Sequence, residues 1–504
     1  MKVVSLLWLA ILWVCSLDVS ATTTIKGVLK NHAGKKMHFF VHTDEFSMKR
    51  ELKHIVQLSD VGGFEANFEF NEVTLIFLVI GNIEGVWFAH PNQSYTLTSF
   101  PTPSQKDFQT LSRALVSLNF QNLGKEDANA LIPQFNQDFE VFMDQHFYDF
   151  ALERYKGSEV YKTKLGVQTK PIQQSDSTRK ETTSFTNWVG AFQDSVNLKY
   201  GEFFDNLYFE THVRYSIAEL ELMAGISRKV LYEDYLMSQP VRYTHPAYAR
   251  FFLAFYAESL GLISQRNTNA LVKAINADND PYLVLELFKK DSLVLSDEVG
   301  QMAVIVGLRD GIGDKRFSQG AIKNCLKKLS QTVDKNKYSL VAAGLLYELQ
   351  KGQSGEVVAP FTAVDLKLDK WESIDEMNGY TYIFFFADWC TSCKKELQLM
   401  SRLRELYGSD IQFLVISLDE NIQALKSHVQ ANKDQKFEFI FTGNTPEIRE
   451  VFHLRAIPQA VMLNPDGEIM FDYTRKPSEG IQMEFDKIVQ LLHPKNGGKT
   501  WQSK

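Results

Sequence analysis

The chain has 504 residues, too many for one ordinary hydrophobic core, so several domains are expected. Hydrophobic residues make up 44% and charged residues 23%, the balance of a soluble globular protein rather than a disordered or fibrous one. The formal net charge of -7, with no long block of one sign, argues against nucleic acid as a partner, because phosphate binding needs a concentrated basic face.

Residues 1–21 read as a signal peptide. Lys2 supplies the positive start, and an apolar run from Val3 to Val14 is broken only by Ser5. Val19-Ser20-Ala21 suits cleavage. The run is short for a bilayer crossing, and an uncleaved membrane anchor is the alternative. Cys15 invites lipid attachment, but bulky Trp13 and Val14 precede it where small residues are wanted. No second apolar stretch of membrane length follows, so the mature chain is expected to be soluble and exported.

Residues 22–102 are predicted to form a small antiparallel β-sandwich or barrel. Ile25 to Leu29, Met37 to Val41, Phe64 to Phe70 and Thr74 to Ile80 are short β-favouring runs. Phe64, Ala66, Phe68 and Phe70 alternate with polar residues, the pattern of a half-buried strand. Gly62-Gly63 and Pro91-Asn92 mark turns.

From 103 to 353 the pattern predicts an all-α region. Phe108, Leu111, Leu115 and Leu118 recur at helical spacing. Tyr248, Phe251, Phe252, Phe255 and Tyr256 line one helical face; such a stripe is read as core, with a substrate groove as the alternative. The polar stretch between Gly157 and Ser184 reads as a long surface loop. Its basic bias is that of a solvated loop rather than a ligand site.

Gln353 to Glu356 reads as a linker. Residues 354–494 then alternate strands and helices, the signature of an α/β layer. Thr381 to Phe386 is a short, largely apolar strand of the buried type. The helix after it presents Leu399, Leu403, Leu406 and Tyr407, and Gly408 ends it. Phe413 to Ser417 is the next strand and Asn421 to Asn432 the next helix. Ala460 to Leu463 and Glu468 to Tyr473 flank the turn Asn464-Pro465-Asp466-Gly467 as a hairpin. The polar tail 495–504 is expected to fray.

The four cysteines are Cys15, Cys325, Cys390 and Cys393. Cys15 leaves with the signal, and Cys325 reads as a small buried residue. An exported protein stapled by disulfides would carry more, so the close pair is read as working chemistry. Strand, Cys-x-x-Cys, helix is the setting in which this motif means redox. Cys390 falls at a helix N-terminus, where unpaired N–H groups and the helix dipole favour thiolate. Cys393 lies inside the helix and would attack the mixed disulfide. A zinc site is the competing reading, but no second Cys pair follows, and His428 and His453 lack ligand spacing. No metal is expected. A purely structural disulfide would constrain little over so short a loop.

The C-terminal domain resembles the TlpA/ResA-like branch of the thioredoxin family. The resemblance rests on Val358-Ala359-Pro360-Phe361, on Trp389-Cys390-x-x-Cys393 with Lys394-Lys395-Glu396, and on Ala456-Ile457-Pro458 followed by Val461-Met462-Leu463-Asn464-Pro465-Asp466-Gly467. It implies a thioredoxin-like fold, with Cys390 as attacking nucleophile and Cys393 as resolving thiol. Pro458 would be cis and face the cysteines, the Ile457 backbone would pair with an extended substrate, and Trp389 would shield the site. Glu396, one turn beyond Cys393, would accept that thiol's proton, with a solvated helix carboxylate as the alternative. The family's buried acid is missing: Phe384 occupies that position. Gln398 stands where this branch often has proline. The front regions resemble, diffusely, those preceding such domains in exported bacterial proteins.

The resulting expectation is a periplasmic thiol–disulfide oxidoreductase that reduces or exchanges disulfides in exported proteins. It would use no bound cofactor and would draw electrons from a membrane thiol donor. An oxidase or isomerase on the same site is one alternative. A ligand-binding or scaffold protein with a regulatory redox site is another.

Overall fold

The computed structural model describes residues 22–101, 114–121, 123–154, 185–257, 259–290, 297–332, 336–377, 379–443 and 445–493. The signal, the 157–184 loop, the tail, Phe108 and Leu111 fall outside them.

The first nine strands are β1 (Thr22–Val28), β2 (Lys36–His42), β3 (Arg50–Gln57), β4 (Gly63–Glu69), β5 (Thr74–Ile80), β6 (Ile83–Ala89), β7 (Ser94–Ser99), β8 (Ala114–Val116) and β9 (Asn119–Gln121). They form two sheets, ordered β4-β1-β7-β9 and β3-β2-β5-β6-β8. Alternate residues of both sheets meet in one core: Ile25, Phe64, Phe68 and Leu97 from the first, Phe39, Ile76, Leu78 and Trp87 from the second. The turn at Gly62 needs glycine, since its φ is 83° and a Cβ there would lie 2.4 Å from the Leu29 carbonyl oxygen.

Two expectations need correction. The sheets are mixed, because β1 runs parallel to β7 and β6 parallel to β8. The β-structure also passes residue 102. Leu115 and Leu118, predicted helical, lie in and beside β8, which pairs with β6; their spacing matched a helix by coincidence.

Helices follow: α1 (Ala128–Arg154), α2 (Phe185–Tyr200), α3 (Leu207–Met223), α4 (Arg228–Tyr235), α5 (Pro246–Phe255), α6 (Ser259–Val272), α7 (Pro281–Phe288), α8 (Asp297–Asp310), α9 (Gln319–Ser330) and α10 (Lys337–Gln350). Among the described residues no strand interrupts Ala128 to Gln350. The aromatic stripe of α5, from Tyr248 to Tyr256, is buried in the core of this region and forms no open groove. Cys325 sits in the same core.

The C-terminal region contains β10 (Thr362–Val364), β11 (Lys370–Glu372), α11 (Ser373–Glu376), β12 (Thr381–Phe386), α12 (Thr391–Tyr407), β13 (Gln412–Ser417), α13 (Ile422–Ala431), β14 (Glu438–Phe441), α14 (Pro446–Val451), β15 (Gln459–Leu463) and α15 (Gln482–Leu492). One sheet runs β11-β10-β14-β13-β12-β15, with β12, β13 and β14 parallel and β15 antiparallel to β12. Strand β12 is covered on both faces, which explains its apolar run. Tyr382, Phe384 and Phe386 meet α12 and α15, while Ile383 and Phe385 meet Phe361 and Phe452. The buried face of α12 runs through Cys393, Leu397, Met400, Leu403 and Tyr407; Leu399, assigned to it from spacing, is exposed. The predicted hairpin after β15 narrows to a bridge between Leu463 and Ile469.

Candidate redox site

Strand β12 delivers the chain to the C-terminal edge of the parallel strands, where α/β sheets place their sites. The backbone turns there through a bond from the Cys390 N–H to the Ala387 carbonyl. Cys390 is the N-cap of the 17-residue helix α12, and its Sγ accepts the Cys393 N–H at 3.2 Å. Ser392 Oγ lies 3.4 Å from the same sulfur. The sulfur thus meets a backbone N–H, a hydroxyl and the positive end of a helix, all of which favour a thiolate. The two cysteines form a disulfide, with Cα atoms 5.2 Å apart. Cys390 keeps 5% of its surface and Cys393 none, so an attacking group meets Cys390 first. Neighbouring Trp389 is 42% exposed.

The Ile457–Pro458 peptide is cis. Register brings this loop to the motif's end of the sheet: Gln459 pairs with Phe385, one residue past Pro458 and five before Cys390. Ile457 packs against the cluster that holds both cysteines. A groove of about 450 Å³ runs along the loop. Pro458, Gln459, Lys351 and Gln353 line it, whereas Cys390, Cys393, Trp389 and Ile457 do not.

Glu396 lies on the buried face of α12. Its carboxylate accepts the Ser478 N–H at 2.9 Å and the Ser478 hydroxyl. Among the described residues no hydrogen bond joins it to either cysteine. Phe384 fills the position of the absent acid and is sealed against both sulfurs' cluster.

Sequence reasoning missed a second group of polar residues. Asp419, just past β13, is buried, and its Oδ1 accepts the Asp388 N–H at 2.8 Å. Its Oδ2 accepts the Ser417 hydroxyl at 2.9 Å. Burial pushes the Asp419 carboxyl above its ordinary value, against the opposing pull of these hydrogen bonds. The Asp388 carboxylate meets Lys394 Nζ at 2.8 Å and His428 Nδ1 at 3.6 Å. His428 is buried against Phe386 and its Nε2 bonds Gln435. The one sequence signal was Ser417 and Asp419 closing an otherwise apolar strand at the motif's end of the sheet.

Residues 378–469 match the family model described as thioredoxin-like. The C-terminal region therefore carries a thioredoxin-like domain with a Cys-x-x-Cys disulfide at its helix start. Several of the relatives that the chain matches are thiol–disulfide oxidoreductases. The chain is 30% identical over 101 residues to sporulation thiol-disulfide oxidoreductase A of Bacillus subtilis, covering 19% of this chain and 60% of that protein. It is 25% identical over 128 residues to the thiol-disulfide oxidoreductase ResA of Bacillus cereus, covering 25% of this chain and 73% of that one. Among solved structures, StoA from Bacillus subtilis aligns at 26% identity and a TM-score of 0.20, over 22% of this chain and 85% of that one. A thiol-disulfide oxidoreductase from Bacteroides fragilis aligns at 23% identity and a TM-score of 0.23, over 26% and 98%.

Proposed function

We propose that the protein is a thiol–disulfide oxidoreductase acting on protein substrates through Cys390 and Cys393. What carries the reading is the Cys390 sulfur at the N-cap of α12, bonded to Cys393 and facing a backbone N–H. In the reductive direction a donor dithiol first reduces the disulfide; its two sulfurs become a disulfide and its two protons end on Cys390 and Cys393. Cys390 gives its proton to solvent, and its thiolate attacks one sulfur of a substrate disulfide, forms a mixed disulfide and expels the other sulfur as thiolate, which takes a proton from solvent. Cys393 gives up its proton, which Glu396 accepts only by leaving Ser478, and attacks the Cys390 sulfur, restoring the disulfide and releasing the second substrate sulfur, which takes up a proton. No bound cofactor takes part.

Trp389 shields the sulfur, and the Ile457 backbone beside Pro458 pairs with an extended substrate segment. The leader at 1–21 argues for export to the periplasm, where a membrane thiol donor would supply electrons. No helix among the described residues is long and apolar enough to cross a membrane.

The test is insulin reduction with a dithiol donor. Cys390→Ser is expected to lose the activity, and Cys393→Ser to accumulate mixed disulfides trapped on Cys390. Full activity in Cys390→Ser would overturn the reading. A reduction potential well above that of thioredoxins would turn the proposed direction towards oxidation.

A further inference from the structure

The redox motif is reached by a short loop, Ala387-Asp388-Trp389, and such a loop holds a sulfur in place only if its own backbone is tied down. Trp389 is exposed and gives it little anchorage. The last four residues of the strand before it, Ile383 to Phe386, are buried and apolar and supply no acid. The tie comes from the neighbouring strand: Asp419 leaves the end of β13 and its Oδ1 receives the Asp388 N–H at 2.8 Å. One neighbouring backbone bond extends the β12–β13 pairing, and the other closes the loop on itself as a turn. The Leu418 N–H donates to the Phe386 carbonyl at 2.8 Å, and the Cys390 N–H to the Ala387 carbonyl at 2.9 Å. Asp419 thus continues the β12–β13 ladder by one side-chain rung, at the point where the strand leaves the sheet.

We propose that Asp419 is a positioning residue for the redox pair, acting through the Asp388 amide to fix the turn that sets the Cys390 sulfur over the first turn of α12. The inference rests on the oxidoreductase reading, but its main readout needs no substrate. Asp419 is built for this task. Its second oxygen is locked by the Ser417 hydroxyl, so the carboxylate has little freedom to turn away from the loop. The groups that face it are Asp388 and His428, and Lys394 completes their array through Asp388. The Asp388 side chain in turn ties the loop to α12 through Lys394, the residue after Cys393. Loop and helix are therefore held from two sides, by Asp419 on the backbone and by Lys394 on the carboxylate.

If the Asp388 amide is released, the turn loosens and the Sγ contact with the Cys393 N–H is the first to suffer. A thiolate at Cys390 then loses a donor. The experiment titrates the reduced full chain for its thiolate, following ultraviolet absorbance against pH, in wild type, Asp419→Ala and Asp419→Asn. Alanine removes the acceptor. Asparagine keeps Oδ1 for the Asp388 amide and turns its Nδ2 donor to Ser417 Oγ.

The expected result is a Cys390 thiol pKa raised by about one unit in Asp419→Ala and returned to wild type in Asp419→Asn. Insulin-reduction kcat should fall about tenfold in the alanine variant with KM changed less than about twofold, since Asp419 is buried and bonds the loop backbone rather than a substrate. If the alanine chain does not fold, Asp419→Ser, too short to span the gap to the Asp388 amide, carries the same expectation. A thiol pKa equal to wild type in the folded alanine or serine variant overturns the proposal. So does an asparagine variant as perturbed as alanine, because the charge and not the acceptor would then matter. Loss of insulin reduction in the wild-type chain would instead strike the oxidoreductase reading and leave the thiol comparison standing.

Discussion

Cys325 and Cys390 are both buried, and what separates them is what surrounds each sulfur. Cys325 is sealed in the core of the helical region, and burial pushes its thiol up to about 12, with nearby Lys328 pulling only weakly the other way. The folded state therefore holds that proton more tightly than the unfolded chain does. Above the ordinary thiol value the native state binds the extra proton, so stability falls as pH rises towards 12. At neutral pH its thiolate fraction is about a thousandfold below that of a free cysteine. Cys390, once reduced, sits instead at a helix N-cap with donors on its sulfur. The reduced native protein should alkylate at Cys390 within the time that leaves Cys325 untouched, and Cys325 should react only after denaturant is added. Peptide mapping by mass spectrometry checks this. Native labelling of Cys325 at a comparable rate would mean that its core opens.

At the scale of the element, strand β12 decides how much of the site can be read ahead of the structure. Its apolar run, the Cys-x-x-Cys after it and the proline loop are local signals, and local signals survive in sequence. The strand–motif–helix unit was legible for that reason. Asp419 and His428 were not, because they reach the motif from β13 and α13 across the sheet, and no spacing along the chain reports that. Leu115 shows the converse failure. It stands at helical spacing from Leu111 and Leu118 but lies in a three-residue strand with its side chain largely in solvent, so no burial confirms the period. On α12 the spacing fitted at Leu403, Leu406 and Tyr407 and failed at Leu399, because the buried face turns back through Met400, Leu397 and Cys393. Phe384 is fully buried in the cluster of Cys390, Cys393 and Leu397. Phe384→Ala should cost about 3–5 kcal/mol, as large buried aromatics do when truncated. Urea titration of the oxidised protein measures it. A loss below about 1 kcal/mol would show that this core collapses onto the gap.

Across the whole molecule, the β-sandwich and the thioredoxin-like domain are joined through one short helix. Strand β2 is buried on both faces because Met37, Phe39 and Val41 point into the sandwich core while His38 and Phe40 point away from it. That second face meets α14. His38 Nε2 lies 2.5 Å from Glu447 Oε1, and Arg449 Nη1 donates to Asn82 Oδ1 at 2.8 Å. Helix α14 leads within a few residues to the proline loop, so the sandwich braces the segment that enters that loop. Burial pushes the Glu447 carboxyl up, but the hydrogen bond and charge of His38 outweigh it and hold the group below its ordinary value. The sign follows. A carboxyl lowered in the folded state contributes stability above the ordinary carboxyl value, and that contribution is lost as pH falls through the lowered one. Glu447 is partly open to solvent, which screens the pair and limits it to about 1 kcal/mol. Glu447→Gln should therefore melt below wild type at neutral pH, and the two curves should converge as pH falls below about 4. A difference that stays constant over that range would assign the contact to packing alone, and the ionised carboxylate would have no part in joining the two domains.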